Sequence, residues 1–382
     1  MSDQPRRKLI FLVTEDWYFW SHRLPMARAA QAAGFDVAVA TRVAAHGERI
    51  VAAGFRLLPL HWRREQLGLW ASLAAIVEIY RLYRRERPFI VHHVAHKAAL
   101  LGGVAALLAR VPYAVSFIAG VGYMGTSQSR HARLIGAAAR LLWPPLLLRA
   151  NCRVIVQNDE DREVIATLRP AAAARIVVIR GSGVDLDDFS PLPEPPAPPV
   201  TAAYVGRMIA IKGVATLVEA QQILRCEGIG LRLLLAGTPD PANPTSFDAA
   251  TLQSWGALPG IVWCGHRDDV REIWASAHIA VLASFGGEGL PKTLLEAAAM
   301  GRAIAATDVP GTRDIARPGI NAILVPPGDA RALAAALKEL AGDPVRRRAY
   351  AAAGRALVAD GFSEAAVSAA TVALYRSLAA LG

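Results

Sequence analysis

Glu288 and Glu296 stand with seven residues between them, and the first lies in a glycine-rich stretch, Gly286-Gly287-Glu288-Gly289-Leu290-Pro291. An apolar run at 279–283 precedes this stretch and another follows at 303–306, which predicts a βαβ unit with two buried parallel strands. Pro291 suits the first helical position, where its missing N–H costs nothing, and Gly301 suits the left-handed residue after the last turn. The loop therefore feeds a helix N-terminus, whose free N–H groups and positive dipole end attract a phosphate. Carboxylates do not bind phosphate, so the partners expected for Glu288 and Glu296 are hydroxyl groups, two sets of them. A sugar nucleotide, with a ribose on one side of its diphosphate and a hexose on the other, meets both demands.

A second constellation is cationic. Gly206-Arg207-Met208-Ile209-Ala210-Ile211-Lys212-Gly213 follows a strand expected at 201–205. Breaking a sugar–phosphate bond leaves a diphosphate with added negative charge, and two fixed cations can stabilise it in place of a metal ion. No metal and no cofactor are expected.

The run Glu288-Gly-Leu-Pro-Lys-Thr-Leu-Leu-Glu296, together with Gly206-Arg207 to Lys212-Gly213, resembles the motifs of the retaining glycosyltransferases of family 4. The resemblance extends over nearly the whole chain and implies the GT-B fold: α/β, two Rossmann-like doubly wound parallel-sheet domains facing a cleft. It implies that Glu288 contacts the donor hexose and Glu296 the ribose, while Arg207 and Lys212 hold the diphosphate. Gly286, Gly287, Gly289, Leu290 and Pro291 would cradle the donor, and the turn Gly265-His266-Arg267 would hold the base. A Gly-rich turn at Gly120 and Gly122 resembles a subgroup acting on bacterial capsule and lipid-linked saccharides.

The elements that must position these residues follow from the apolar pattern. Strands are expected at 9–13, 36–41, 55–60, 89–94, 113–117, 153–157 and 176–179 in the first half, and at 201–205, 231–236, 261–264, 279–283, 303–306 and 322–325 in the second. The expected division is an acceptor-binding domain over 1–182, a hinge and proline-rich linker over 183–200, a donor-binding domain over 201–362, and a helix over 363–382 that crosses back to the first domain. The junction after the first strand lacks G-x-G-x-x-G, so a dehydrogenase is disfavoured. Instead it is aromatic, and Ser21, His22 and Arg23 are candidates for a ligand cleft. His92, His93 and His96 cluster at the end of the fourth strand. Alternation across a strand argues against a shared metal, so His93 and His96 are read as cleft lining.

With 53% hydrophobic residues over 382 positions the chain must bury large cores, and a disordered protein is excluded. Three dispersed cysteines without a C-x-x-C pair support neither a disulfide framework nor a zinc site and suggest a cytoplasmic setting. The start lacks the apolar run and cleavage site of a secretory leader.

A net charge of +10 calls for anionic partners. Nucleic acid is disfavoured because no binding motif accompanies the charge. Two apolar, arginine-bearing stretches, 67–87 and 134–149, are too interrupted to span a bilayer and fit either core packing or peripheral contact with an anionic membrane.

The reading that unites these features is transfer of a hexose or N-acetylhexosamine from a nucleotide sugar, expected to be a UDP-sugar, to a saccharide acceptor, polyprenyl-diphosphate-linked by the subgroup resemblance. The competing readings are a sugar-nucleotide epimerase of the same fold and a non-enzymatic membrane or nucleotide-binding protein.

Overall fold

A computed structural model of the chain describes residues 6–63, 68–118, 146–147, 149–286 and 288–381. The chain divides into two compact units, one formed by residues 1–182 with 364–382 and the other by 183–363.

In the first unit the strands are β1 (Lys8–Glu15), β2 (Asp36–Arg42), β3 (Arg56–Pro59), β4 (Ile90–Val94), β5 (Tyr113–Phe117), β6 (Cys152–Val156) and β7 (Ile176–Val178). They pair in parallel in the order β3-β2-β1-β4-β5-β6-β7. Helices α1 (Asp16–His22), α2 (Leu24–Ala32), α3 (Gly47–Ala52), α4 (Leu69–Glu86), α5 (His96–Leu108) and α6 (Asp159–Leu168) connect them. Every residue of β4 is buried, as a strand covered on both faces requires. One face packs on Phe11, Phe19 and Phe35, the other on Ile79, Leu82 and Tyr83 of α4.

The second unit carries β8 (Val200–Val205), β9 (Leu231–Ala236), β10 (Ile261–Gly265), β11 (Ile279–Leu282), β12 (Ala303–Thr307) and β13 (Ala322–Val325). Their order is β10-β9-β8-β11-β12-β13, again parallel. Its helices are α7 (Val214–Cys226), α8 (Ala249–Gly256), α9 (Arg271–Ala275), α10 (Lys292–Ala299), α11 (Thr312–Ile315), α12 (Ala330–Gly342) and α13 (Pro344–Gly361). Helix α14 (Glu364–Ala379) follows this unit in sequence but belongs to the first. Its Tyr375 is fully buried and packs edge-on against Phe11 and Phe35.

Strand order reverses once in each sheet, at β1/β4 in the first and at β8/β11 in the second. Loops leaving the carboxyl ends of two such strands diverge to opposite faces and open a crevice between them, where open α/β sheets bind ligands.

The proline-rich stretch read from composition as a linker is part of the second unit. Prolines cannot donate to a ladder, but their carbonyls still accept, and arginines of the second unit bond to carbonyls along this stretch. Arg302 donates to the Pro193 carbonyl at 3.3 and 3.2 Å, and Arg355 donates to the carbonyl of Phe189 at 3.0 Å. Arg347, 3% exposed, grips Glu194 with two bonds of 2.6 and 2.9 Å. Burial alone would raise the Glu194 carboxyl, yet the Arg347 bonds and charge hold it below its ordinary range.

Candidate functional site

The loops after β8 and β11 flank the reversal of the second sheet, and they carry Lys212 and Glu288. Three contacts lock them together. Gly213 has φ +69 and lies so close to the Ala283 carbonyl that a Cβ would sit 1.9 Å from it. The Phe285 N–H donates to the Ile211 carbonyl at 2.9 Å. Lys212 Nζ then donates to Glu288 Oε1 at 2.5 Å.

Ser284 Oγ donates to the same carboxylate oxygen, also at 2.5 Å. Ser284 is fully buried, and its own carbonyl accepts from Thr307 Oγ1 at 2.6 Å. The loop after β12 completes the support. Gly311, at φ +81, backs so closely on this turn that a Cβ would meet the Gly289 oxygen at 1.7 Å and the Glu288 oxygen at 2.8 Å.

Glu288 is 7% exposed and precedes α10 by a few residues. Pro291 occupies the cap position of α10 rather than its first turn, one place from the sequence expectation, and Gly301 is left-handed at φ +73. Glu296 lies in the second turn of α10 and is buried. Gly286 has φ +139, open only to glycine, and Leu290 is buried beside the helix start. Gly287 lies outside the described residues.

Arg207 projects after β8 with its guanidinium 2.8 Å from Asp240 Oδ2, while its carbonyl accepts from the buried Tyr204 hydroxyl at 2.8 Å. Burial pushes Tyr204 above its ordinary range, the Glu288 charge adds to this and Arg207 opposes it, so both charges act on one hydroxyl. Lys212, Glu288 and Arg207 are thus gathered around the β8 end, each cation held on a carboxylate. Such an arrangement can pass its cations to a diphosphate and present a carboxylate to hydroxyls. Ser284, Tyr204, Asp240 and Gly311 escape the sequence reading. Ser284 stands closest to the motif, two residues before the glycine-rich stretch and four before Glu288.

Gly265 is left-handed at φ +65 with open space above it, and His266 and Arg267 are exposed after β10. His266 Nε2 lies 3.4 Å from Asp268 Oδ1.

Several candidates in the first unit are placed differently from expectation. Arg23 is 1% exposed rather than cleft-facing, with its guanidinium 3.7 Å over the Phe117 ring. It lies between two helices that pack on the sheet, so its apolar stem and planar head are absorbed by aromatic neighbours. His93 is also fully buried, bonded to the Tyr83 hydroxyl at 3.2 Å and near Ser116 Oγ at 3.4 Å. His92 faces the other side of the sheet, stacked on Phe11 and bonded to the Tyr375 hydroxyl. Both belong to the interior because β4 is covered on both faces. Ser21 and His22 close α1, with Ser21 Oγ 2.6 Å from His22 Nδ1 and the His22 ring stacked on Tyr18 at 4.3 Å. His96 opens α5 at the β1/β4 reversal. Gly120 and Gly122 lie outside the described residues.

Among the described residues no group of three or more His, Cys, Asp or Glu is placed to hold a metal ion. Asp185, in an Asp-x-Asp triplet, instead closes a turn by accepting from the N–H groups of Asp187 and Asp188.

The family model for group 1 glycosyl transferases matches residues 199–343, the unit that holds this site, and the glycosyl transferase 4-like model matches residues 8–152. The chain belongs to the glycosyltransferases of family 4. The two matches cover about three quarters of this glycosyltransferase. It is 22% identical over 311 residues to the capsular polysaccharide biosynthesis glycosyltransferase CapM of Staphylococcus aureus, covering 78% of this chain and 80% of that one. It is 24% identical over 302 residues to an N,N'-diacetylbacillosaminyl-diphospho-undecaprenol alpha-1,3-N-acetylgalactosaminyltransferase of Campylobacter jejuni, covering 76% and 77%. Sucrose-phosphate synthase of Thermosynechococcus elongatus superposes with a TM-score of 0.80 at 22% identity, over 99% of this chain and 100% of that one. That likeness is one of fold, and the fold of the glycosyltransferase is GT-B.

Proposed function

We propose that this glycosyltransferase transfers a hexose or N-acetylhexosamine, with retention, from a UDP-sugar to a saccharide carried on a polyprenyl diphosphate, in the building of a bacterial surface polysaccharide. The observation that carries the reading is the convergence of Lys212 and Ser284 on one oxygen of Glu288 at the start of α10. The printed activities of the relatives, capsule biosynthesis and transfer to a diphospho-undecaprenol-linked sugar, supply the acceptor class.

In the proposed mechanism the donor diphosphate draws Lys212 and Arg207 from their carboxylates. Glu288 is released to accept from the hexose hydroxyls, and Glu296 accepts from the ribose. The bond between the anomeric carbon and the diphosphate oxygen breaks with its electron pair leaving on UDP. The acceptor hydroxyl attacks from the same face, its oxygen forms the new glycosidic bond, and its proton passes to a diphosphate oxygen. The two cations neutralise the leaving group, so no metal is required. The reaction is placed at the cytoplasmic face of an anionic membrane, where a lipid-linked acceptor resides.

The test is a screen of labelled UDP-sugars with purified protein and a bacterial lipid extract. Label should enter the lipid fraction, and Glu288→Ala should abolish its entry. Conversion of a donor to a different sugar nucleotide without acceptor would mark an epimerase instead, and no turnover of any donor would leave a binding protein.

A further inference from the structure

The sequence left the stretch 67–87 divided between core and membrane, and the structure divides it by face. At 100° per residue, Ala75, Ile79, Leu82, Tyr83 and Glu86 fall on one side of α4, and all are buried. Leu69, Trp70, Leu73, Val77, Arg81 and Arg84 fall within about 120° of arc on the other. Leu69 is 71% exposed and Trp70 81%, with Leu73 and Val77 also open to solvent. A tryptophan that bare, among three aliphatic neighbours on one helical stripe, is unlike the scattered apolar residues of an ordinary surface.

The stripe changes character along its length. Its first turns are apolar, and one turn beyond Val77 it becomes cationic with Arg81 and Arg84, both exposed, while Arg85 at its edge is paired with Glu86, Nε to Oε1 at 3.1 Å. No acid interrupts it. Glu78 lies at its margin with Oε1 bonded to the His61 N–H at 2.9 Å and to His61 Nδ1 at 2.8 Å, and Glu86 is turned inward to Lys8 at 3.1 Å. Apolar residues followed by exposed arginines on one face match a bilayer boundary, where acyl chains meet anionic head groups.

We propose that this face of α4 is the surface on which the protein docks to an anionic membrane, with Leu69, Trp70, Leu73 and Val77 entering the acyl boundary and Arg81 and Arg84 on the head groups. The inference rests on the lipid-linked acceptor reading for its purpose, but its evidence is the exposed face alone. Among the described residues no helix is long and apolar enough to cross a membrane, so the attachment is peripheral.

The experiment is co-sedimentation with phosphatidylcholine vesicles containing or lacking phosphatidylglycerol, without donor or acceptor, alongside sedimentation velocity of the protein alone. Binding should require phosphatidylglycerol and weaken with salt. Replacing Arg81 and Arg84 by Gln should weaken it about thirtyfold, roughly fivefold per charge. Trp70→Ser with Leu73→Ser should weaken it at least about tenfold. Circular dichroism and sugar transfer to detergent-dispersed acceptor should stay unchanged in both variants. Equal binding to both vesicle types, no binding, or self-association abolished by Trp70→Ser would overturn the proposal, the last assigning the face to a second copy. Transfer in detergent without vesicle binding would sink the docking surface and leave the proposed activity standing. Vesicle binding without transfer would do the reverse.

Discussion

Lys212 Nζ and Glu288 Oε1 are 2.5 Å apart across 76 residues of sequence, and the pair is largely shielded, with side-chain exposures of 22% and 8%. Their meeting is a product of sheet order, since one leaves β8, the other leaves β11, and those strands are neighbours.

If the pair exchanges partners when the donor binds, its members act as a unit. Lys212→Met and Glu288→Gln should each lower kcat by about a hundredfold or more. The double variant should fall well short of the product of the two losses. Steady-state kinetics of the four proteins decide this. Full additivity would show that the two residues serve separate steps.

Ser284 is fully buried, and its hydroxyl fixes the Glu288 carboxylate. Ser284→Ala removes one bond to a buried charged oxygen, a loss of about 1.5–3 kcal/mol. The effect should fall on kcat by about tenfold or more while the donor KM stays within about twofold. An unchanged kcat would mean that Lys212 alone orients the carboxylate.

Gly311 and Gly319 share the left-handed backbone at φ +81 and +73, but only Gly311 has a carbonyl against it. Gly319→Ala should cost stability through backbone strain alone, about 1 kcal/mol. Gly311→Ala should cost more and also lower transfer, because the Glu288 backbone must shift. Thermal melts with parallel rate measurements separate the two effects, and equal activity in both variants would contradict the support assigned to Gly311.

His92 and His93 link stability to pH. Burial, with Arg23 and His93 nearby, holds His92 well below the ordinary imidazole range, and burial with Arg149 brings His93 down to about 3. Both are neutral in the folded state while unfolded imidazoles titrate near about 6.5. Their contribution is therefore complete above that pH and is lost as pH falls below it, for His93 over the span down to about 3 at about 1.4 kcal/mol per pH unit. Denaturant titrations at neutral pH and on the acid side should show this slope, and His93→Gln should remove one proton's share. A variant with the parent's slope would place the proton uptake elsewhere.

The two faces of α4 show where the pattern of residues stopped and geometry took over. Helical spacing announced an amphipathic element, but the stripe carried apolar residues on both sides, and only packing against β4 and α5 chose which side was covered. The same holds at His92 and His93. Their positions in a strand were legible from the apolar run around them, but their burial depended on a helix from the far end of the chain and on α4 covering the two faces.

The amino-acid order by itself determined the strands, the alternation that makes two parallel sheets, and the motif residues Glu288, Glu296, Arg207 and Lys212, because period, turn chemistry and spacing are local properties. Which strands became neighbours was decided only by folding, and with it the reversal at β8/β11, the closure of Lys212 and Ser284 on Glu288, and the attachment of the proline-rich stretch to the second unit. Those outcomes depend on contacts between residues far apart in the chain, whose energies no local window contains.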